Sequence, residues 1–134
     1  MLPFEFTIKG PPISAQTRSR QRLSAWKQQV RSCAQAEVNP LADLVDTDVC
    51  VTITYYYDGD SPDVDNIIKP IQDALIGVVF DDDRQVVETK GRKRSVNGSY
   101  QIRGVSAVLL TAFADGDDFV HVKVVDAPVT EVLD

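Results

Sequence analysis

The sequence has a single histidine, His121, two cysteines, Cys33 and Cys50, and one tryptophan, Trp26. One histidine leaves no His-based metal cluster and argues against a Ser-His-Asp hydrolase. Two cysteines make neither a disulfide framework nor a zinc site, and the simplest expectation is a cytoplasmic protein with reduced thiols. Long apolar stretches are missing too. The longest charge-free apolar run, Ala74 to Phe80, falls far short of the ~18–20 residues a membrane span needs. Met1 to Glu5 has no basic stretch followed by an apolar one, so no signal peptide is expected. The sequence has no internal repeat and no low-complexity linker, and its 134 residues are expected to form one domain, residues 1–134, with about 127–134 as a frayed tail.

Hydrophobic residues make up 43% and charged residues 25%, with a net charge of −6. That is an ordinary globular mixture, and its sign counts at first against nucleic acid. The charges are segregated, however. Lys9 to Arg31 carries six basic residues and no acid, and Arg84 to Arg103 carries six basic residues and one acid, Glu88. Between them, Asp58 to Asp83 carries eight acids and one base, Lys69. After Arg103 only Lys123 is basic, against six acids.

Alternation predicts strands at Phe4–Lys9, Val49–Tyr57, Gln85–Arg94 and Phe119–Val125. Leu23, Trp26, Val30 and Cys33 recur at helical spacing, so a helix is expected from about Arg20 to Ala36. Val64, Ile67, Ile68, Ile71 and Leu75 mark a second helix, with Asp63 or Asp65 as its cap, Pro70 disturbing its hydrogen bonding, and Gly77 as its stop. Val105, Val108, Leu109, Ala112 and Phe113 mark a third, ended by Asp115-Gly116. Asp58 to Pro62 and Asn97-Gly98 read as turns. The fold class expected is α+β, one small mixed sheet packed with helices.

The acids invite an explanation. Two carboxylates ~4 Å apart repel by ~4 kcal/mol at an effective dielectric of 20, so a cluster needs a cation, a lysine or open water. Mg²⁺ suits oxygen donors. An EF-hand is excluded, because Pro62 and Asp63 fall where its fifth and sixth residues would be and the sixth must be glycine. Asp65 and Lys69 are four apart and share a helix flank, whereas Asp73 is read as facing away from Asp65 and serving structure. Aspartates at helix starts and in turns are often only caps or solvated groups. Trp26, on an apolar stripe, is assigned to the core, and His121 to a structural or exposed place in the last strand. Basic windows on both sides of an acidic centre are nonetheless what a metal-dependent nuclease needs.

The run from Asp63-Val64-Asp65-Asn66 through Lys69, Asp73-Ala74-Leu75 and Gly77 to Asp82-Asp83-Arg84-Gln85-Val86 resembles the RusA-type Holliday junction resolvases. Their pattern is D-x-D-N, a Lys, D-A-L, a Gly and D-D-x-Q-V. The flanks agree more loosely, in a first strand ending at Gly10-Pro11-Pro12, a basic loop, and a closing strand Phe119-Val120-His121-Val122. The resemblance implies a RusA-like fold and a homodimeric, Mg²⁺-dependent endonuclease acting on four-way DNA, with Mn²⁺ able to substitute and no organic cofactor or membrane involved. Asp63, Asp65 and Asp83 would be the catalytic, metal-holding carboxylates and Lys69 the functional lysine. Asp82 and Asn66 would support them from behind. Lys69 has two roles open, stabilising charge or orienting water. Arg18, Arg20, Arg22, Lys90, Arg92, Lys93 and Arg94 are the candidates for DNA backbone contacts. The rival expectations are a junction-binding protein without cleavage and a flap or branched-DNA nuclease of relaxed specificity.

Overall fold

The computed structural model describes residues 1–59, 63–96 and 106–128. Strand β1 (Phe4–Lys9) buries Phe4, Phe6 and Ile8 and turns Glu5, Thr7 and Lys9 the other way, as its alternation requires. Helix α1 (Arg20–Glu37) starts at Ser19, whose hydroxyl accepts the Arg22 N–H, and buries Trp26, Val30 and Ala34. Trp26 is therefore a core residue. Then come β2 (Val49–Tyr57), α2 (Val64–Leu75), a turn of 3₁₀ helix at Asp83–Gln85, β3 (Val86–Ser95), α3 (Ala107–Asp115) and β4 (Phe119–Asp126). The third strand starts one residue later than expected because Gln85 is held in the 3₁₀ turn. Asp60 to Pro62, Asn97-Gly98, Val105 and residues 129–134 lie outside the described residues. The Ala127 N–H still donates to Asp48 O.

One sheet orders the strands β1-β4-β2-β3. β4 is antiparallel to both β1 and β2, while β2 and β3 are parallel. A parallel neighbour requires a crossover, and α2 supplies it. The chain is thus a single small α+β domain with a mixed sheet. Ile67, Ile71 and Leu75 of α2 and Val30 of α1 are fully buried with Val51, Ile53, Val120 and Val122 of the sheet. On the opposite face α3 is tied down by polar and aromatic contacts. Ser106, its cap, donates to Glu5 Oε2 at 3.0 Å, and Phe113 packs edge-on against Tyr56 and Phe119. His121, buried, shares the same Glu5 oxygen at 2.6 Å. Burial pushes the Glu5 carboxyl up, but the bonds from His121 and Ser106 outweigh it and leave it below the ordinary carboxylate value. No helix among the described residues is long and apolar enough to cross a membrane.

Two details set where α2 lies. A Cβ on Gly91 would meet Ile68 Cδ1 at 2.8 Å and Val64 Cγ2 at 3.1 Å, so the bare backbone of β3 lets the front half of α2 rest directly on it. At the far end Gly77, with φ 81°, turns the chain, and Arg31 Nη1 reaches Ile76 O at 2.8 Å, closing the carbonyl end of the helix.

Candidate active site

Asp63 is the N-cap residue of α2, but its side chain makes no cap hydrogen bond. Its carboxylate is exposed, as is that of Asp65 two residues further on. Asp63 is thus not consumed as a side-chain cap, while Asp65 lies in the first turn, where its charge suits the helix dipole and leaves its oxygens open to solvent. The front of α2 is also where the basic loop arrives. Pro70, buried inside α2, has no N–H to give to the carbonyl four residues earlier, that of Asn66. The Ala15 N–H donates there instead, at 2.7 Å. A vacancy in the helical ladder thus docks the loop that leads to Arg18, Arg20 and Arg22. All three are exposed. Two other basic residues of that window, Lys27 and Arg31, are structural. Lys27 Nζ lies 3.7 Å from Asp73, and Arg31 closes α2.

Lys69 Nζ donates to Asp73 Oδ1 at 2.8 Å. Residues 65, 69 and 73 follow one another at one-turn spacing, so Asp73 rides the same flank as Asp65, and the expectation that it faces away is corrected. The Asp73 hydrogen bond raises the Lys69 pKa above the usual lysine value. Burial works against it, and the charges of Asp73 and Asp83 add smaller contributions in its favour.

Asp82 has work of its own. Its Oδ1 accepts the Arg84 N–H at 3.0 Å, its Oδ2 pairs with the Arg84 guanidinium at 3.1 Å, and Gln85 answers from the other side as a capping box. The Arg84 N–H and guanidinium, with the adjacent Asp83, hold the Asp82 carboxyl down at about 2. Asp82 is thereby the cap of the 3₁₀ turn, and Asp83 rides exposed on that turn.

The structure brings Asp83 within electrostatic reach of Lys69. Asp63 and Asp65 sit at the front of a helix ~18 Å long, and the chain reaches Asp83 only after the other end. Among the described residues no three acidic, histidine or cysteine side chains are placed to hold one metal ion. Mg²⁺ is commonly bound by one or two carboxylates with water and substrate phosphate completing its shell. Exposed, all-oxygen donors with an uncommitted Asp63 and Asp65 fit that chemistry.

The β3 candidates divide. Thr89 bonds Gln72 of α2 at 2.7 Å, and Gly91 lies under Ile68. Alternation therefore puts Lys93 on the α2 side and Lys90, Arg92 and Arg94 on the opposite face. Arg92 Nε there reaches Thr54 Oγ1 at 3.2 Å. The DNA-contact candidates do not form one patch.

The model of the family Endodeoxyribonuclease RusA matches residues 6–101. The chain belongs to the RusA endodeoxyribonuclease family. Among curated proteins, none matches the chain. The RusA match runs from within β1 through β3 and stops before α3 and β4. Yet β4 fills the sheet between β1 and β2, so the RusA core of this chain is completed from outside the matched segment. RusA membership makes the protein an endodeoxyribonuclease by family, of a kind that acts on branched DNA. The sequence pattern names the carboxylates and Lys69 as candidates, but it missed Pro70 as the docking device and gave Gln85 no task.

Proposed function

We propose that this protein is a Mg²⁺-dependent endodeoxyribonuclease that resolves four-way DNA junctions by paired phosphodiester hydrolysis, in the cytoplasm, as a homodimer. The observation that carries the reading is the docking of the basic loop beside uncommitted carboxylates, through the Ala15 N–H on Asn66 O at 2.7 Å. It supports a reading in which the basic loop would meet DNA phosphate near carboxylates that would take a metal. Asp63, Asp65 and Asp83 would be the metal-binding carboxylates, one or two of them meeting a given ion with water and DNA phosphate completing its shell, and a bound metal would supply a Lewis acid and an activated water.

The other roles fall to the chain itself. Lys69, kept protonated by Asp73, offers positive charge to the oxygens of the phosphate under attack and no base. Asp82 and Asn66 act from behind, one as the cap of the Asp83 turn and the other through its backbone carbonyl. Arg20 and Arg22 sit in the first turn of α1 with no acid there. That runs against the helix dipole, and a DNA phosphate would relieve it. Symmetric nicks in one junction need two sites, which a twofold dimer provides.

The test is cleavage of a synthetic four-way junction, a flap and a plain duplex by the wild type, Asp65→Asn and Asp83→Asn, with Mg²⁺ and with Mn²⁺. The reading expects junction cleavage by the wild type and its loss in both variants. Wild-type rates in either variant would remove the assignment. Equal cleavage of flap and junction would point to a branched-DNA nuclease of relaxed specificity. Binding without cleavage under both metals would point to a junction-binding protein, the reading that the spread of the carboxylates favours.

A further inference from the structure

We propose that Gln85 is the positioning residue of the acidic loop, pinning Asp81–Asp83 to the leader of β2 so that Asp83 is carried on a fixed turn at the start of β3. The side chain spends all of its hydrogen-bonding capacity on this. Its Oε1 accepts the N–H groups of Asp81 and Asp82, both at 2.9 Å. Its Nε2 donates to Val45 O at 2.7 Å and to Thr47 O at 2.9 Å. A carboxamide has two donors and one oxygen with two lone pairs, so nothing is left over.

The chemistry selects the residue. Glutamate of the same length keeps the acceptor but would face two carbonyl oxygens with no donor. Methionine keeps the length and loses everything, and asparagine is one carbon too short to serve both sides.

The place of the pin is what makes it matter for the site. Asp81, Asp82 and Asp83 put three carboxylates on consecutive residues, whose directions a free loop would leave unfixed. The Val45 N–H also donates to Val79 O at 2.9 Å, so the segment before β2 grips this loop twice, before and after the three acids. Val86, the next residue after Gln85, opens β3, where β3 pairs with β2. Asp83 is thus carried on a single turn held at one end by the Asp82 cap and at the other by Gln85.

The catalytic consequence rests on the nuclease reading, but the pin does not. The experiment compares wild type, Gln85→Met and Gln85→Glu in amide hydrogen exchange at Asp81 and Asp82, and in junction binding without divalent metal and cleavage across a Mg²⁺ titration. Gln85→Met is expected to lose protection at both amides and to need about 10–100-fold more Mg²⁺ for half-maximal cleavage, with junction affinity unchanged. Gln85→Glu is expected to keep the amide protection and still lose Mg²⁺ response. Should Gln85→Met not fold, Gln85→Glu carries the test alone. Retained protection in Gln85→Met, or wild-type Mg²⁺ dependence in a folded variant, overturns the proposal. If the wild type cleaves nothing, the nuclease reading fails, and the amide exchange of Gln85→Met alone decides the pin.

Discussion

Lys69 Nζ lies 2.8 Å from Asp73 Oδ1, one turn further along α2, and takes its partner there and not at Asp65. A lysine so paired, with Asp83 adding negative charge from the next turn of chain, keeps its proton throughout the neutral range. It serves as fixed positive charge. Lys69→Met should therefore lower the single-turnover cleavage rate by about 10²–10³-fold, the scale seen when a charge-stabilising donor is removed. Junction affinity should barely move. Asp73→Asn, which removes only the partner, should bring the Lys69 pKa back toward its ordinary value and cost far less in rate. Cleavage by Lys69→Met at the wild-type rate would take Lys69 out of the site.

Pro70 offers a second, quite different handle. Its missing N–H leaves the Asn66 carbonyl to the Ala15 N–H. In Pro70→Ala the new N–H competes for that carbonyl and completes the helical ladder. The helix should gain, since proline is the worst residue for a helix interior, while the basic loop loses its exclusive anchor. The expected signature is opposed: a helix at least as resistant to denaturant, but Ala15 amide exchange faster by about tenfold, the worth of one net hydrogen bond. Weaker junction binding should accompany it. Unchanged Ala15 exchange would show that the loop is held by something else.

Most of the fold is written in the side-chain periodicity. β1, α1, β2, α2 and β4 come out where alternation and helical spacing put them, because each presents one apolar face to one shared core. The site was legible in part. D-x-D-N, Lys69 and D-D-x-Q-V name the residue types, but pairing within them depends on three-dimensional partners. Lys69 could choose between Asp65 and Asp73, both four residues away, and spacing alone does not decide. Gln85 reaches Val45 and Thr47, some 40 residues earlier, which no local pattern announces. Pro70 signalled a disturbed ladder, but not that Ala15 fills the vacancy.

Acid pH tests the 3₁₀ turn. The Asp82 carboxyl, held at about 2 by the Arg84 N–H and guanidinium, starts from an ordinary value of 3.8. A group whose folded value is depressed contributes stability that is fully present above its unfolded value and drains away as pH falls through the folded one. The cap should therefore stay formed at pH 4 and open only between pH 3.8 and about 2. Side-chain carboxyl NMR across that range should show the Asp82 midpoint well below 3.8. In Arg84→Ala its midpoint should move up toward 3.8. A wild-type midpoint already at 3.8 would mean that the cap does not form.

Salt separates the two faces of basic charge. Each phosphate neutralised by a lysine or arginine adds about 0.9 to the slope of log affinity against log salt on duplex DNA. Arg18, Arg20 and Arg22 follow a loop docked beside Asp63 and Asp65, whereas Lys90, Arg92 and Arg94 point from β3 to the other face of the sheet. One straight duplex lying across the front of α2 meets the first set and misses the second. A four-way junction sends further arms past the protein and has phosphates to offer both. The triple change of Arg18, Arg20 and Arg22 to alanine should thus flatten the salt slope on linear duplex and on junction alike, by about 3 units if all three bind phosphate. The triple change of Lys90, Arg92 and Arg94 should flatten it on the junction and leave the linear duplex as it was. Equal losses on both substrates from the β3 triple would put those three residues on the same DNA arm as the loop. No change on either would remove them from the DNA surface.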